Sequence, residues 1–173
     1  MTIATPSNFD PVQEARKQWQ ARWPEAATAM AAATSVMRAQ QIVLRAVDSA
    51  LKPFGLTFAR FEALVLLSFT RSGQLPLGKM GERLMIHPTS VTNIVDRLVG
   101  DELVERIPHP KDRRTILARI TPLGLSLTAD ATKAVNAIRF GVDGLSEIDQ
   151  EMMIVLIGGL RRSAGDYASS ERT

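Results

Sequence analysis

The 173-residue sequence contains no cysteine and two histidines, His87 and His109. The first absence removes disulfides, thiolate nucleophiles and thiol redox sensing. Without cysteine, two histidines are too few for a His/Cys transition-metal site, so no metal and no other cofactor is expected. Aromatic residues are scarce, at 5%. A core must therefore be built from Leu, Val, Ile, Met and Ala, a palette that favours helices packed on helices. No apolar run approaches the roughly 18 residues of a membrane span, and the N-terminal stretch is polar where a secretory leader would be apolar. A cytoplasmic protein without membrane contact is expected. Glycine-rich phosphate loops and nucleophile-elbow motifs are missing, and both histidines fall in one region, so the chain does not read as an enzyme.

What is present is an ordinary globular composition, 45% hydrophobic and 23% charged, with a net charge of +3. Such a mild basic excess is compatible with nucleic acid but does not establish it, so charge placement has to decide. Residues 1–9 read as a loose tail. Asp10-Pro11 forms a cap and first-turn proline for a helix running to Trp23, with Trp19 and Trp23 four residues apart on one face. An Ala-rich helical segment follows over residues 25–52, stopped by Pro53 and Gly55. Thr57 caps a helix over 58–70, with Leu56 and Phe61 as a hydrophobic staple and Phe61, Leu64, Val65 and Phe69 as its apolar stripe. Gly73 and Pro76 break the next loop.

Two short helices are predicted at 77–84 and 88–100, joined by Met85-Ile86-His87. Met80 and Leu84 face inward from the first, and Gly81 lets the second cross closely. In the second, Val91, Ile94, Val95 and Leu98 form the buried stripe. Its opposite face carries Thr89 and Asn93, flanked by Ser90, Thr92 and Arg97 and opened by Pro88. That face is small and polar, rich in side chains that can donate and accept at base edges or phosphates. A solvated amphipathic helix is the alternative for this segment alone. Then come two β-compatible runs, 103–107 and 115–121, separated by a polar tip with Lys111, Asp112, Arg113 and Arg114. Arginine on an outstretched tip suits the minor groove, and Asp112 is placed to orient the Arg114 guanidinium. Thr121-Pro122 opens a helix to about Phe140, and Ser146 caps a last helix to about Ala164. The Gly158-Gly159 pair inside it suggests a kink or a close crossing.

A helix-turn-helix followed by a basic hairpin reads as a winged helix. The stretch from Gly55 to Gly124 resembles the MarR family of multiple antibiotic resistance regulators. The resemblance is carried by Val95-Asp96-Arg97-Leu98, Leu103-Val104-Glu105-Arg106, Asp112-Arg113-Arg114 and Ile120-Thr121-Pro122-Leu123-Gly124. It implies a mainly α fold: a winged helix-turn-helix head with a small β-hairpin wing, and N- and C-terminal helices forming a dimerisation body. The corresponding division is 1–55, 56–121 and 122–173. It further implies a homodimer on a pseudo-palindromic operator in double-stranded DNA, with 88–100 in the major groove and Arg114 in the minor groove. Members mostly repress transcription, and many release DNA when a small aromatic or phenolic effector binds between head and dimer helices. Independently of the resemblance, Val36, Val43, Leu127, Ile138, Met152, Leu156 and Leu160 give the terminal helices more apolar surface than a small head can cover. The tryptophans either pack the dimer or stack on an effector near Met37, Arg38 and Gln41. The competing reading of the whole is a winged helix that binds protein rather than DNA.

Overall fold

Caps and prolines set where the helices begin. In the computed structural model, whose described residues are 9–167, helix α1 (Pro11–Arg22) starts at Asp10, whose carboxylate accepts from the Val12 amide. Residues 1–8 of the expected tail lie outside the described residues. A single 3-10 turn, Pro24–Ala26, precedes the long helix α2 (Ala27–Leu51), and a second, Lys52–Phe54, ends it at left-handed Gly55. Thr57 caps α3 (Phe58–Ser68) through its hydroxyl, which accepts from the Arg60 amide, and Asp48 accepts from the Phe58 amide at 2.8 Å. Strand β1 (Gln74–Pro76), helices α4 (Leu77–Leu84) and α5 (Pro88–Gly100), and strands β2 (Val104–His109) and β3 (Asp112–Ile120) follow. Helices α6 (Pro122–Ala137) and α7 (Glu147–Ser163) complete the order, capped by Thr121 and Ser146.

The chain divides into two compact units, Met1–Arg45 and Ala46–Thr173. In the second, α3 packs against α6, α5 and the sheet. Its interior is aliphatic, centred on Leu51, Leu64, Leu67, Met80, Leu98 and Val135, all fully buried. Burial of such side chains contributes about 1.5–3 kcal/mol each.

The structure corrects some expectations and adds to others. The stripe of α3 is Phe61, Ala63, Leu64 and Leu67, while Phe69 is 82% exposed at the C-cap. Two residues past Leu67 is about 200° round a helix, so Phe69 lands on the far side of the buried arc. The expected hairpin of β2 and β3 is present, and β1 adds a third strand to it, giving an antiparallel sheet in the order β1-β3-β2. Gln74, Leu75 and Pro76 pair with Arg119, Ala118 and Leu117. Three residues are too short for alternation to be visible, and proline is admissible because the strand is at an edge. α6 ends at Ala137, and Arg139 and Phe140 both take positive φ in the turn beyond it. α7 runs through Gly158-Gly159 as one continuous helix. There the Tyr167 hydroxyl donates to the Gly158 carbonyl at 3.2 Å and accepts from Arg162, folding the segment after α7 back over the glycines.

The base of the wing is fixed to α6 at one point. The Leu103 carbonyl accepts from the Thr121 amide at 3.0 Å, and the Thr121 hydroxyl donates to the Glu102 carbonyl at 2.9 Å. Gly124 passes directly beneath that Leu103 carbonyl, where any Cβ would collide with backbone.

Candidate nucleic-acid interface

The helix-turn-helix is held by a close crossing and a tight corner. A Cβ at Gly81 would meet the Ile86 carbonyl and Val91 Cγ2, each at 3.3 Å, so a larger residue would push α5 away from α4. The corner turns at Met85, which takes a left-handed φ of 55° and donates its amide to Gly81. His87 then caps α5, its Nδ1 accepting from the Thr89 amide at 3.3 Å, with Pro88 at the first helical position. The residues of α5 fall out as their spacing dictates. Val91, Val95 and Leu98 are buried and Ile94 half-buried, leaving Pro88, Thr89, Ser90, Thr92, Asn93, Asp96 and Arg97 exposed on the other side.

These exposed side chains are not equally available. The Thr92 hydroxyl donates to the Pro88 carbonyl at 3.2 Å. Asp96 is held by Arg106 of β2, Nη2 to Oδ1 at 2.9 Å. Among the described residues, the side chains of Thr89, Ser90, Asn93 and Arg97 have no hydrogen-bond or ionic partner. Asn93, Asp96 and Arg97 share an open recess with Thr57 and Arg60 at the start of α3. Arg60 is already committed, bridging Asp101 at 3.0 Å and the Gly55 carbonyl at 2.6 Å.

The wing projects from the same unit. β2 and β3 pair from Val104↔Ile120 to His109↔Asp112, with an irregularity at Pro108/His109. The strands therefore run farther than the spacing suggested, and the tip shrinks to Pro110-Lys111. Glu105 and Arg119 face each other across the strands in a bidentate pair at 3.0 and 3.3 Å. At the tip, His109 Nδ1 accepts from the Lys111 amide at 3.2 Å.

Asp112 does not hold the Arg114 guanidinium, contrary to expectation. Its Oδ1 accepts from the Arg114 amide at 3.0 Å and its Oδ2 from the Thr115 hydroxyl at 2.6 Å. An aspartate two residues back reaches the amide without straining the turn. These two hydrogen bonds, Thr115 first and the Arg114 amide second, draw the Asp112 carboxyl below its ordinary range, with His109 a minor contributor. Consequently the Arg114 guanidinium and the Lys111 ammonium are exposed and unpaired among the described residues. Arg114 borders an open recess with His109, Gly78, Lys79 and Glu82, between the wing and the start of α4. The side chain of Arg113 lies outside the described residues.

The residues considered for an effector fall into two groups. Trp19 and Trp23 pack on each other, ring centroids 4.9 Å apart and tilted by 50°. Arg38 donates to Gln41 at 3.1 Å along α2, with Met37 exposed nearby in sequence. No hydrogen bond or ring contact joins one group to the other among the described residues.

Sequence reasoning missed the positioning role of Arg106 and the cap supplied by His87. The cap had a local signal, since His87 stands immediately before Pro88. The Asp96–Arg106 pairing had none, because it depends on how the strand crosses the helix.

The MarR family model matches residues 56–116 of this chain. The HTH-type transcriptional regulator YhbI of Bacillus subtilis, itself uncharacterised, is 30% identical over 103 residues, 60% of this chain and 64% of that protein. The chain thus spans less than two thirds of YhbI's length. Sco5413, a MarR family transcriptional regulator from Streptomyces coelicolor, is 49% identical, with a TM-score of 0.75 over 82% of this chain and 99% of that one. A variant of Escherichia coli MarR complexed with operator DNA superposes with a TM-score of 0.68 over 82% of this chain and 96% of its own. At 19% identity, that likeness speaks to the fold alone.

Proposed function

This chain belongs to the MarR family, and on that premise we propose that it is a sequence-specific DNA-binding transcription regulator. It acts as a homodimer on a pseudo-palindromic operator and represses by occupying the promoter. Residues 56–121 are assigned as the reading head, and 1–55 with 122–173 as the dimerisation body. The observation that carries the reading is the state of the exposed face of α5. Its one carboxylate, Asp96, is neutralised by Arg106, while among the described residues Thr89, Ser90, Asn93 and Arg97 have no side-chain partner. A face of that kind meets a polyanion without a repelling charge and with free donors and acceptors.

In this reading α5 enters the major groove, with Pro88 and Thr89 bringing the positive end of the helix toward phosphate. Arg114 enters the adjacent minor groove, and Lys111 contacts backbone. Two heads related by a twofold axis would read half-sites about one helical turn, ~34 Å, apart. The exposed apolar residues of α7, among them Ile148, Met152, Leu156 and Leu160, support a partner subunit on that helix. A small aromatic or phenolic effector stacking on the Trp19–Trp23 pair is proposed as the releasing signal. It must bind the released conformation more tightly than the DNA-bound one, since a ligand shifts an equilibrium only by its difference in affinity.

Binding to operator DNA at several salt concentrations tests the central claim. A reader of several phosphates loses affinity with a log–log slope near −0.9 per phosphate neutralised. A winged helix that binds protein instead would show no specific duplex binding at any salt. Titrating phenols while following tryptophan emission tests the effector, and an unchanged spectrum with a compound that releases DNA would remove the tryptophans from the mechanism.

A further inference from the structure

We infer that Arg60 is a positioning residue for DNA reading. With Asp101 it forms a joint through which the end of α2 sets the bearing of α5, and with it the half-site spacing that the dimer accepts. The inference rests on the DNA-reading assignment above and adds how the reading helix is aimed.

Both residues break a local rule. Arg60 lies in the first turn of α3, where the helix dipole favours an acidic side chain, and Asp101 caps the end of α5, where a basic one is favoured. Each charge is at the wrong end of its own helix. The fold brings the two together across 41 residues, Arg60 Nη1 meeting Asp101 Oδ2 at 3.0 Å.

The other arm of the guanidinium, Nη2, donates to the Gly55 carbonyl at 2.6 Å. Gly55 closes the turn that follows α2, and Asp48 in the last turn of α2 accepts from the Phe58 amide at 2.8 Å. One planar fork thus ties the end of α2 to the end of α5. From the other side, Thr121 holds the two residues after Asp101. Its hydroxyl donates to the Glu102 carbonyl and its amide to the Leu103 carbonyl. Residues 101–103 are therefore clamped by the two segments that lead into the assigned dimerisation body.

The clamp is at one end of α5, and Pro88 is at the other. Val91, Val95 and Leu98 bury the helix against its neighbours, but apolar burial is non-directional, whereas the fork fixes a direction. The 13 residues of α5 form a lever about 20 Å long. A tilt of roughly 10° at Asp101 would carry the leading end by roughly 3.4 Å, one base-pair step along the duplex. The twofold partner repeats the shift, so half-site spacing is the property most sensitive to this joint. Asp101 is exposed and Arg60 half-buried, so the pair adds little to folding itself.

The test uses the full chain and the operator selected from random duplex DNA. Affinity is measured for that operator, for versions with one base pair inserted or removed between the half-sites, and for a duplex with a single half-site. The unaltered protein is expected to lose about tenfold or more on either change of spacing. Arg60→Met and Asp101→Ala should each cut that penalty to about threefold or less, with affinity for the single half-site kept within about twofold. Arg60 also borders the recess shared by Asn93 and Arg97, so the rival role is a phosphate contact. In that case Arg60→Met weakens the single half-site and lowers the salt slope, while Asp101→Ala frees the guanidinium and tightens binding. That result overturns the joint. So does a spacing penalty unchanged in both variants, or an unaltered protein indifferent to spacing; each leaves DNA reading intact. Absence of specific duplex binding by the unaltered protein overturns the DNA reading and this inference together. Asp101→Ala changes an exposed position and decides the matter where Arg60→Met fails to fold.

Discussion

Arg106 on β2 and Asp96 on α5 are joined at 2.9 Å, tying the wing's first long strand to the exposed side of the helix before it. Both partners are partly solvated, so the pair contributes below about 1 kcal/mol to folding. Its effect is on charge: Arg106 cancels the only carboxylate on that face.

That sets up a cycle. Arg106→Ala should weaken operator binding by on the order of 1 kcal/mol, because an uncovered carboxylate then faces phosphate. Asp96→Ala should leave it unchanged or tighten it, and the double variant should recover most of the loss. Affinities of all four proteins at one salt concentration check this. A double variant no better than Arg106→Ala would mean that Arg106 touches DNA itself.

Arg114→Ala should cost about 1–3 kcal/mol of specific binding with the melting temperature unchanged, since the side chain is exposed and has no partner among the described residues. Lys111→Ala should weaken all sequences alike and reduce the salt slope by about one phosphate. Calorimetry alongside competition with scrambled duplex reads both.

The Asp112 carboxyl is depressed by bonds that exist only in the folded wing. A group with a lowered folded value contributes in full above its unfolded value, about 3.9, and loses that contribution as pH falls through the folded one. The Asp112 bonds to the Arg114 amide and the Thr115 hydroxyl should therefore persist from pH 8 to 5 and loosen as pH falls below 4. Amide shifts of Arg114 and Thr115 followed through acid report it directly. Asp112→Ala should show the loosened tip already at neutral pH.

Leu156 on α7 is 67% exposed and Leu160 58%. If that face is the subunit interface, Leu156→Asp should yield monomers, given the roughly 1.5–3 kcal/mol that each buried leucine supplies. Light scattering gives the mass, and operator affinity should fall with it. A dimer of unchanged mass would move the interface elsewhere.

Much of this was legible in the sequence because it depends on near neighbours. Asp10, Thr57, Thr121 and Ser146 all cap the helices they precede, since a cap needs a side-chain oxygen within three residues. The inward and outward faces of α5 followed from helical spacing alone. What escaped depends on contacts distant along the chain. β1 exists because Gln74–Pro76 meets Leu117–Arg119, more than forty residues later. The role of Arg106 depends on the crossing of β2 over α5. Phe69 was misread for a different reason: helical phase places it correctly only once the true centre of the buried arc is known.

Gly124→Ala should destabilise the protein by about 3 kcal/mol, because its Cβ would press into a backbone carbonyl that cannot step aside. Urea unfolding measures it.

The same junction bears on how the molecule opens. With the Leu103 carbonyl bonded to Thr121 and Gly124 packed against it, the wing cannot peel from its base while the first turn of α6 stays wound. Hydrogen exchange should then show the Thr121 amide opening only with the whole unit, while amides at Lys111 and Asp112 exchange through local fraying. That pattern would mark a hairpin supple at its tip and as slow as global unfolding at its root, one whose tip would adapt to a groove under the proposed DNA reading without losing its bearing on the helix beside it.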